Sequence, residues 1–517
     1  MALTWIPYLL GYALQGDDWR FTGFLFGIED GNSYIAKMLR GAQGEWLFRT
    51  PYTSFSQRGA FFYFPFILLG KLSAPPGQHE QLVALYHLFR TASGFGLVFA
   101  VYSFLSLFLQ QRFWRRFGTI LVTLGGGTGW LTMIGLSGLW NGKLPLDFYS
   151  PEVFGFLMMY GLPHLAAARA LVLWGLRSYL LSTENPLTWK EKLKTGLIWT
   201  GAGMFQPITV IVAWAVIGAH LVIGRLRLKI GGCSFEGANW RAYMKRGLWI
   251  LLFSAPLVVY TFAAVKIDPV LSSWEVQNRL FSPPLIHYVL AYFFLLPFSA
   301  MGVRYLYQKM PWQGLLVIAW AWLFPFLIYL PIGAQRRFVE GAWAAMVILA
   351  LSWVENRGWK MRRFAAAWFS LSFLTPAIFY MGSLIAVLSP RTPLYRPAQE
   401  VKVFQYLAQT AKADEIILAS FETSNALPAW APFRVVTGHG PEGLNSKEMR
   451  RIVERFFNSG MNEAERVDFL NEHHVSYVFW GPAERTLGSW DPRLARYIVP
   501  VYDNGPYLLF RMTEFSK

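Results

Sequence analysis

The chain is 517 residues long, and 54% of its residues are hydrophobic while only 15% are charged. Apolar runs of about twenty residues recur along it, which excludes an ordinary soluble domain and predicts an α-helical polytopic membrane protein. The formal net charge of +17 does not indicate a nucleic-acid partner, because lysine and arginine fall in short loops between the apolar runs. The single cysteine, Cys233, excludes an intramolecular disulfide framework and a multi-cysteine metal site.

The first apolar segment, MALTWIPYLLGYALQ, has no basic start and no small-residue cleavage site. We therefore expect a retained helix rather than a signal peptide, although it is shorter than the roughly 20 residues that a full span needs. The later apolar runs bring the number of predicted transmembrane helices to about 11. These predicted spans cover residues 1–14, 82–110, 119–138, 160–181, 195–205, 207–224, 247–265, 285–303, 315–332, 342–354 and 364–388.

Five of the loops between these runs are basic, and we place them in the cytoplasm because short cytoplasmic loops carry an excess of lysine and arginine. They are residues 111–118, 185–194, 225–246, 304–309 and 355–363. This orientation predicts a protein of the cell membrane with its N-terminus inside and its C-terminus outside. It also requires the apolar run 195–224 to be two short helices that meet near Gln206 and Pro207, since both flanks of the run are basic.

Two larger parts of the chain are predicted to lie outside the cell. The loop 15–81 contains NSYIAKMLRG, which has helical spacing of apolar residues, and GAFFYFPFILLGKL, which is too short to span; both are predicted to be juxtamembrane helices. From about residue 391, amphipathic helices mix with short apolar strands such as EIILAS and VSYVFWG. The sequence thus predicts a transmembrane domain over residues 1–390 and a small extracytoplasmic α/β domain over residues 391–517.

Glu29 and Asp30 stand at the start of the first juxtamembrane helix, which leaves two interpretations open. Asp30 fits a helix N-cap, where its side chain would accept a hydrogen bond from a backbone N–H of the first turn. It also fits a general base held at the membrane surface, which must accept a proton from an incoming hydroxyl. A neighbouring acid such as Glu29 supports the second interpretation, because like charges in a partly dry site raise one of the two pKa values.

Arg336 and Arg337 lie in a predicted outer loop, where the positive-inside rule does not expect basic residues. Two guanidinium groups at the lipid interface suit bidentate binding of a phosphate, with Glu340 as an orienting partner. The alternatives are an anchor for lipid headgroups or an error in the predicted topology.

Arg169 lies inside a predicted span, and an arginine at such a position usually faces a cavity. Pro163 is expected to start that span, which would put His164 at the mouth of the cavity. A lone histidine is more often a packing residue than a catalyst. Glu152, on the outer side, fits either a second acid or the start of a helix.

The glycine-rich LGGGTGW of residues 124–130 is not a nucleotide site, because it lacks the Lys-Ser/Thr of a P-loop and follows no strand. Small residues in a span normally serve close helix packing or a kink. No HExxH motif and no histidine pair at ligand spacing occurs in the sequence, so side-chain metal binding is possible only through carboxylates. We predict no metal and no other cofactor.

The segment EDGNSYIAKMLRGAQGEWLFRTPY, with an acid, a tyrosine (Tyr34) four residues later and a GxWL that follows, resembles the first extracytoplasmic loop of GT-C membrane glycosyltransferases. This superfamily includes protein O-mannosyltransferases and the aminoarabinose transferase of lipid A. Short motifs of this chain also resemble motifs of related bacterial GT-C-like proteins, and they occur in the same order along nearly the whole chain. These motifs are an IDGNSY-like segment, PE…F…PH, QRRF-x-EG, VTGHGPE and VSYVFWGP.

The resemblance implies a sugar transferase of the cell envelope that uses a polyprenyl-phosphate donor. On this view Asp30 is the base that acts on the acceptor, Glu29 is its neighbour, and Arg336 and Arg337 hold the carrier phosphate. The leading hypothesis adds Arg169, the arginine within a predicted span, as a further phosphate-binding residue. Gln206 occupies a position before proline at the roof of the cavity, where some relatives have lysine. Tyr34, Glu152, His164 and Glu340 are the other expected cavity residues.

The leading hypothesis is an inverting glycosyltransferase that acts on an acceptor hydroxyl at the outer face of the membrane. The donor sugar and the glycan, lipid or protein acceptor stay open at this point. Two other classes also stay open. A lipid or solute transporter would likewise use intramembrane arginine and broken helices, and a non-catalytic membrane scaffold would have no need of Asp30.

Overall fold

The structure is a computed structural model that describes residues 1–181, 188–226, 240–410, 412 and 414–513. Cys233 and parts of the predicted basic loops 185–194 and 225–246 lie outside the described residues. The described residues form two compact units. Unit 1 consists of Met1, Phe89–Tyr260 and Arg279–Gly382, and unit 2 consists of Ala2–Leu88, Thr261–Asn278 and Ser383–Lys517.

Helices dominate both units. Up to residue 226 the α-helices are α1 Ile6–Leu14, α2 Ile28–Ala42, α3 Phe64–Gly70, α4 Gln78–Leu105, α5 Arg112–Leu124, α6 Phe156–Gly161, α7 Pro163–Leu180, α8 Trp189–Phe205 and α9 Pro207–Leu226. From residue 240 to residue 387 they are α10 Trp240–Ile267, α11 Pro269–Gln277, α12 Leu285–Ala291, α13 Leu296–Lys309, α14 Pro311–Leu327, α15 Ala342–Val354, α16 Trp359–Ser370 and α17 Leu374–Val387.

The last part of the chain adds α18 Ala398–Thr410, α19 Phe421–Ala426, α20 Ser446–Phe457, α21 Glu463–Glu472 and α22 Pro482–Arg485. The strands are β1 Trp19–Phe21, β2 Tyr395–Pro397, β3 Ile416–Leu418, β4 Arg434–Val435, β5 Val475–Trp480, β6 Ile498–Asn504 and β7 Tyr507–Met512. Within the described ranges, α11, α19, α21, α22 and strands β1, β2 and β6 were not predicted from the sequence.

Among the described residues, five helical segments are long and apolar enough to cross a membrane. The bent pair α12 and α13, which turns by 81°, adds a sixth if it forms one broken span, and α1 and α14 are shorter apolar helices. The chain is therefore a multi-pass helical membrane protein, while the predicted total of eleven spans stays a prediction. The five segments are Gln78–Leu105, Pro207–Leu226, Trp240–Ile267, Gln335–Val354 and Trp359–Val387.

The break expected at Gln206 is confirmed, since α8 ends at Phe205 and α9 begins at Pro207. Proline has no N–H to continue the helical ladder, and Gln206 adopts an extended conformation with φ of −158° and ψ of 97°. The expectation that Pro163 begins a helix is also confirmed, since α7 starts there after the short α6.

The predicted continuous span over residues 119–138 is wrong. Helix α5 ends at Leu124, and the next regular structure is a 3₁₀ helix, Gly129–Ile134. The glycines between them leave the helical ladder, because the N–H of Gly126 donates to the carbonyl of Ser372 at 2.8 Å and that of Gly127 donates to the Asp147 carboxylate at 2.5 Å. The LGGGTGW segment is thus a turn inside unit 1.

Helix α15 forms the core of unit 1, and nearly all of its residues are buried. Its sequence, AWAAMVILALSWV, is apolar all round, which is typical of a helix surrounded by other helices. It packs against α5, α13 and α14. Gly302 of α13 allows the closest of these approaches, because a Cβ atom there would lie 2.0 Å from the carbonyl oxygen of Leu349.

The sheet of unit 2 has the strand order β4-β3-β5-β7-β6. Strands β4, β3 and β5 run parallel, whereas β7 is antiparallel to both β5 and β6. Apolar side chains of α20 and α21 cover the sheet, among them Val453, Phe456 and Leu470. The final quarter of the chain therefore has the mixed α/β structure expected from its alternating helix and strand patterns.

Unit 2 also contains the predicted outer loop. Strand β1 pairs with β2 in antiparallel register, and α2 packs against α3 and against α19. His79 of α4 stacks on Trp430 with ring centroids 3.4 Å apart. Both predicted helices of the outer loop exist as α2 and α3, and α2 is held against the C-terminal residues of the chain.

One buried ion pair joins these two segments of unit 2. The Lys37 ammonium of α2 lies 2.7 Å from the Glu442 carboxylate, and the two side chains are 0% and 3% exposed. Ser33 and Thr50 also donate to Glu442, at 2.9 and 3.2 Å. Burial opposes ionisation of Glu442, but the charges of Lys37 and His439 and the hydrogen bonds from Lys37 and Ser33 outweigh it and lower the pKa of the carboxyl.

We predict that Lys37→Met lowers the free energy of unfolding by about 3–5 kcal/mol, because it leaves the Glu442 charge buried without its cation. Lys37→Met/Glu442→Gln removes both charges and should recover part of this loss. Since the pKa of Glu442 is depressed in the folded protein, its contribution is present above the unfolded pKa and is lost as the pH falls through the folded value. Thermal unfolding of the purified protein in detergent, measured across a pH series, checks both expectations.

The exposed pair Arg450–Glu454 is the matched control, with an N–O distance of 3.1 Å and side chains 53% and 42% exposed. Glu454→Gln should change stability by less than about 1 kcal/mol, since solvent screens such pairs. Equal melting temperatures for Lys37→Met and Glu454→Gln would contradict the assigned role of the buried pair.

Candidate functional site

The two predicted carboxylates lie in the first turn of α2. Gly27 precedes the helix in the left-handed conformation, with φ of 58°, which glycine adopts without strain. Gly27 is the N-cap residue and no side chain caps the helix, so the predicted N-cap role of Asp30 is wrong. Glu29 and Asp30 are the second and third residues of the helix, where the helix dipole favours negative charge.

Asp30 is a half-exposed acid beside a buried histidine. Its Oδ1 lies 3.2 Å from Nε2 of His439, and the side chains of Asp30 and His439 are 56% and 8% exposed. Glu29 is also exposed, and its backbone carbonyl accepts a hydrogen bond from the amide of Asn425 at 3.4 Å. Asp30 thus combines access from solvent with a fixed partner, which a general base needs.

Buried polar side chains surround this acid on the side of the C-terminal segment. The Asn32 amide donates to Oδ1 of Asn425 at 2.8 Å, and the Tyr52 hydroxyl donates to the carbonyl of Asn425 at 3.1 Å. Together with the Lys37–Glu442 pair these bonds hold α2 in one orientation, because each buried polar group would cost free energy without its partner.

Tyr34, an expected cavity residue, lies on the packed face of α2. Its ring stacks on that of Phe66 with centroids 4.7 Å apart and an interplanar angle of 13°. The Lys37 ammonium lies 5.5 Å from the Tyr34 centroid and 4.3 Å from that of Tyr63. The structure gives Tyr34 a part in packing α2 against α3 and around the lysine.

In unit 1, Arg169 of α7 makes a buried bidentate pair with Glu340. Its Nε and Nη2 atoms lie 2.5 and 2.8 Å from the two carboxylate oxygens. Arg169 also donates to the carbonyls of Glu152 and Phe154, at 2.8 and 3.2 Å. Four hydrogen bonds already occupy this guanidinium, so the phosphate-binding role expected for Arg169 stays a prediction that its geometry does not favour.

The expected pairing of Glu340 with the Arg336–Arg337 pair is wrong. The 3₁₀ helix Gln335–Val339 carries both arginines, and Glu340, which follows it, is buried against Arg169. The Trp320 indole N–H donates to the Glu340 carbonyl at 3.0 Å and fixes this turn.

Arg336 and Arg337 are half-buried and have unfilled hydrogen-bonding capacity. Arg337 lies 3.6 Å from the Glu152 carboxylate, and the Arg336 guanidinium lies 4.6 Å from the ring centroid of Tyr149. Among the described residues, the Nε atoms of both arginines are buried without a hydrogen-bond partner. A buried guanidinium donor without an acceptor is costly, and an anionic oxygen would satisfy it.

The other expected residues of unit 1 lie at the ends of helices. Glu152 is buried before α6 and faces Arg337, so it acts as a counter-ion in this structure. His164 is the second residue of α7 and is half-buried. Gln206 caps α8 at the break before α9. Their roles toward a ligand stay predictions.

Asp147 is a buried acid that sequence reasoning missed. It accepts a hydrogen bond from the N–H of Gly127, and burial raises its pKa to about 6 against the hydrogen bonds that lower it. The signal was the LGGGTGW segment, whose exposed backbone N–H groups need an acceptor once the helix ends. Asp147 therefore stabilises the turn at the end of α5.

Lys37, His439 and Glu442 were also missed as site residues. Ser33 and Lys37 follow Asp30 at positions i+3 and i+7 on one helix face, which was a readable signal. The partners of that face lie about 400 residues further along the chain, in VTGHGPE, and no local pattern relates the two segments. Across the described parts of the chain, no group of three or more His, Cys, Asp or Glu side chains is placed to hold a metal ion.

No family model and no curated protein matches this sequence. Solved structures match its fold. The crystal structure of ArnT from Cupriavidus metallidurans in the apo state aligns over 98% of this chain and 96% of its own, with a TM-score of 0.50 and 12% identity. That of the Archaeoglobus fulgidus oligosaccharyltransferase in complex with zinc and sulfate aligns over 96% of this chain and 71% of its own, also at 0.50 and 12%.

At 12% identity the comparison concerns the fold alone. The chain shares its fold with ArnT and with the oligosaccharyltransferase, which agrees with the fold implied by the resemblance of the first loop.

Proposed function

We propose that this protein is an inverting glycosyltransferase that moves a sugar from a polyprenyl-phosphate donor to an acceptor hydroxyl on the outer face of the membrane. The observation that carries the proposal is the pair of half-buried guanidinium groups, Arg336 and Arg337, whose Nε donors make no hydrogen bond among the described residues. The Nε of Arg337 has the Glu152 carboxylate at 3.6 Å, beyond hydrogen-bond distance. An anionic ligand would accept hydrogen bonds from these two guanidinium groups. The likeness to ArnT and to an oligosaccharyltransferase supports a sugar transferase as the class of enzyme.

In the proposed reaction Asp30 accepts the proton of the acceptor hydroxyl. The hydroxyl oxygen attacks the anomeric carbon from the face opposite the phosphate and forms the new glycosidic bond, so the configuration inverts. The bond between the anomeric carbon and the phosphate oxygen breaks, and polyprenyl phosphate leaves with the bonding electrons. Asp30 suits this role because its carboxylate is half-exposed and Glu29 adds negative charge beside it.

Arg336 and Arg337 would stabilise the charge that develops on the leaving phosphate. Fixed donors in a site with little water act most strongly on charge that appears in the transition state. Tyr149 and Glu152 position the two guanidinium groups, the first through its ring face and the second as a counter-ion.

We expect Asp30→Asn to lower kcat about 10²–10⁴-fold, because the amide keeps the shape of the carboxylate but cannot take up the proton. The assay uses purified protein in detergent with a panel of undecaprenyl-phosphate hexoses labelled in the sugar, and it measures transfer to a sugar-alcohol or lipid acceptor. Glu29→Gln should have a smaller effect, since it changes only the charge beside the base.

Asp17→Asn is the matched control, because Asp17 is an exposed acid of the same loop and the substitution should leave transfer unchanged. Full transfer by a folded Asp30→Asn protein would show that Asp30 is not the base. If the wild type uses no donor of the panel, the enzyme assignment weakens and the transporter alternative gains.

We expect Arg336→Gln and Arg337→Gln each to lower kcat about 10²–10³-fold, by analogy with the loss of one oxyanion-hole donor. Arg→Lys at either position keeps the charge but loses the planar fork, so it should restore only part of the rate. Steady-state kinetics with the same donors separate kcat from KM.

Arg357→Gln serves as the control for this pair, since Arg357 also lies over an aromatic ring, that of Trp353 at 4.3 Å, but is exposed. Its kinetics should match the wild type. A change in KM alone for Arg336→Gln and Arg337→Gln would mean that these residues bind donor and transition state equally, contrary to the proposed role.

A further inference from the structure

The α/β part of unit 2 supplies a residue to the candidate base. Strands β3, β4 and β5 are parallel, so their carboxyl ends meet at one edge of the sheet, where ligands bind in many α/β proteins. Residues 436–442, VTGHGPE, follow β4 at this edge, and α19 follows β3 there. Helix α2, which carries Asp30, packs against α19.

His439 lies between two carboxylates at this edge. Its Nε2 is 3.2 Å from Oδ1 of Asp30, and its Nδ1 is 3.7 Å from Oε1 of Glu442. Glu442 is in turn paired with Lys37 at 2.7 Å. The His439 imidazole is buried, whereas the Asp30 carboxylate that faces its Nε2 is half-exposed. The histidine is therefore enclosed by protein, and the acid next to it is accessible to solvent.

The remaining groups around this histidine are few. The ring of Tyr52 lies 5.4 Å from that of His439, Lys37 lies behind Glu442, and Glu29 adjoins Asp30 on α2. The neighbouring end of α11 contributes an uncharged residue, since Gln277 donates to the carbonyls of Pro441 and Gly443. The nearest ionisable partners of the two ring nitrogens are therefore Asp30 and Glu442.

We propose that His439 is a positioning residue that orients the Asp30 carboxylate toward the acceptor and keeps it ionised. This inference rests on the proposed function for its catalytic meaning. The Nε2–H group donates to Oδ1 of Asp30 and so restrains the orientation of the carboxylate. On the opposite side of the ring, the Glu442 carboxylate lies 3.7 Å from Nδ1 as an electrostatic neighbour, and Lys37 and Ser33 hold Glu442 in place.

The sign of the pH effect follows from the charges. In the acid range where a carboxylate takes up a proton, an imidazole carries its positive charge. A positive charge beside Asp30 favours the ionised carboxylate. His439→Ala removes this charge, so we expect activity to be lost at a higher pH on the acid side.

The first test compares pH profiles of kcat/KM for the wild type, His439→Asn and His439→Ala, with the labelled undecaprenyl-phosphate hexose that the wild type uses. We expect the acid limb to move up by about one pH unit in His439→Ala. His439→Asn keeps a neutral donor, so it should recover more of the rate at high pH than His439→Ala does. A uniform loss of rate at every pH, with no movement of the acid limb, would mean a purely structural role and would overturn the proposal.

His473→Asn is the matched control. His473 is another buried histidine of unit 2, but its Nδ1 contacts the hydroxyl of Ser54 at 2.7 Å instead of a carboxylate. Its acid limb should coincide with that of the wild type. A shift in His473→Asn equal to that in His439→Ala would show that the effect is not specific to the Asp30 contact.

A second measurement does not depend on turnover. Selective ¹⁵N labelling of histidine allows the ring-nitrogen chemical shifts of His439 to be compared by NMR between the wild type and Asp30→Asn. Loss of the carboxylate removes the charged acceptor that lies 3.2 Å from Nε2, so the Nε2 signal of His439 should change and the ring signals of His473 should stay in place.

These two measurements separate the two claims. If no donor is used but the Nε2 signal of His439 changes in Asp30→Asn, the pairing stands and the proposed transfer reaction fails. If transfer occurs and Asp30→Asn abolishes it, but the Nε2 signal does not change, the base assignment stands and the role of His439 is overturned.

Discussion

The need to pair a buried ammonium group determines the arrangement around the candidate base. Lys37 is fully buried, and an unpaired charge at such a position would cost several kcal/mol. Glu442 satisfies it, and this places residues 436–442 against α2. His439 belongs to the same loop, so the pair that neutralises Lys37 also brings an imidazole to Asp30. The position of the half-exposed Asp30 therefore depends on the Lys37–Glu442 pair, which lies two helical turns further along α2.

Unit 1 also contains a buried cation that must be paired, Arg169. Arg169 is satisfied by Glu340 and by the carbonyls of Glu152 and Phe154, so it joins the segment before α6 to the turn before α15. Because Glu340 is occupied in this way, it does not neutralise the neighbouring arginines. The Nε atoms of Arg336 and Arg337 make no hydrogen bond among the described residues, and Glu152 is a partial counter-ion of Arg337. Arg169 is therefore a structural residue, whereas Arg336 and Arg337 are the two arginines that we propose for an anionic ligand.

The features read correctly from the sequence are those set by local chemistry. Proline ended or began helices at Pro163 and Pro207, and the amphipathic pattern of residues 28–42 formed α2. The glycines of LGGGTGW were expected to kink a span, but three adjacent residues without side chains ended the helix, and Asp147 accepted the released N–H. Glu340 was assigned to the nearest arginines in sequence, although its partner is 171 residues away. Long-range pairs such as His439 with Asp30 have no local sequence pattern, so they could be identified only from the three-dimensional structure.

The separation of Lys37 and Glu442 along the chain has a consequence for biosynthesis. The two residues are 405 positions apart, and at about 5–20 residues per second the ribosome needs roughly 20–80 seconds to make the intervening chain. During that time α2 has its lysine but not the carboxylate that neutralises it, so the helix cannot reach its final environment. The acid at the head of α2 is therefore assembled last, after the membrane-spanning helices between the two segments have been made. A chain truncated before residue 442 would contain Asp30 but would not hold it in place.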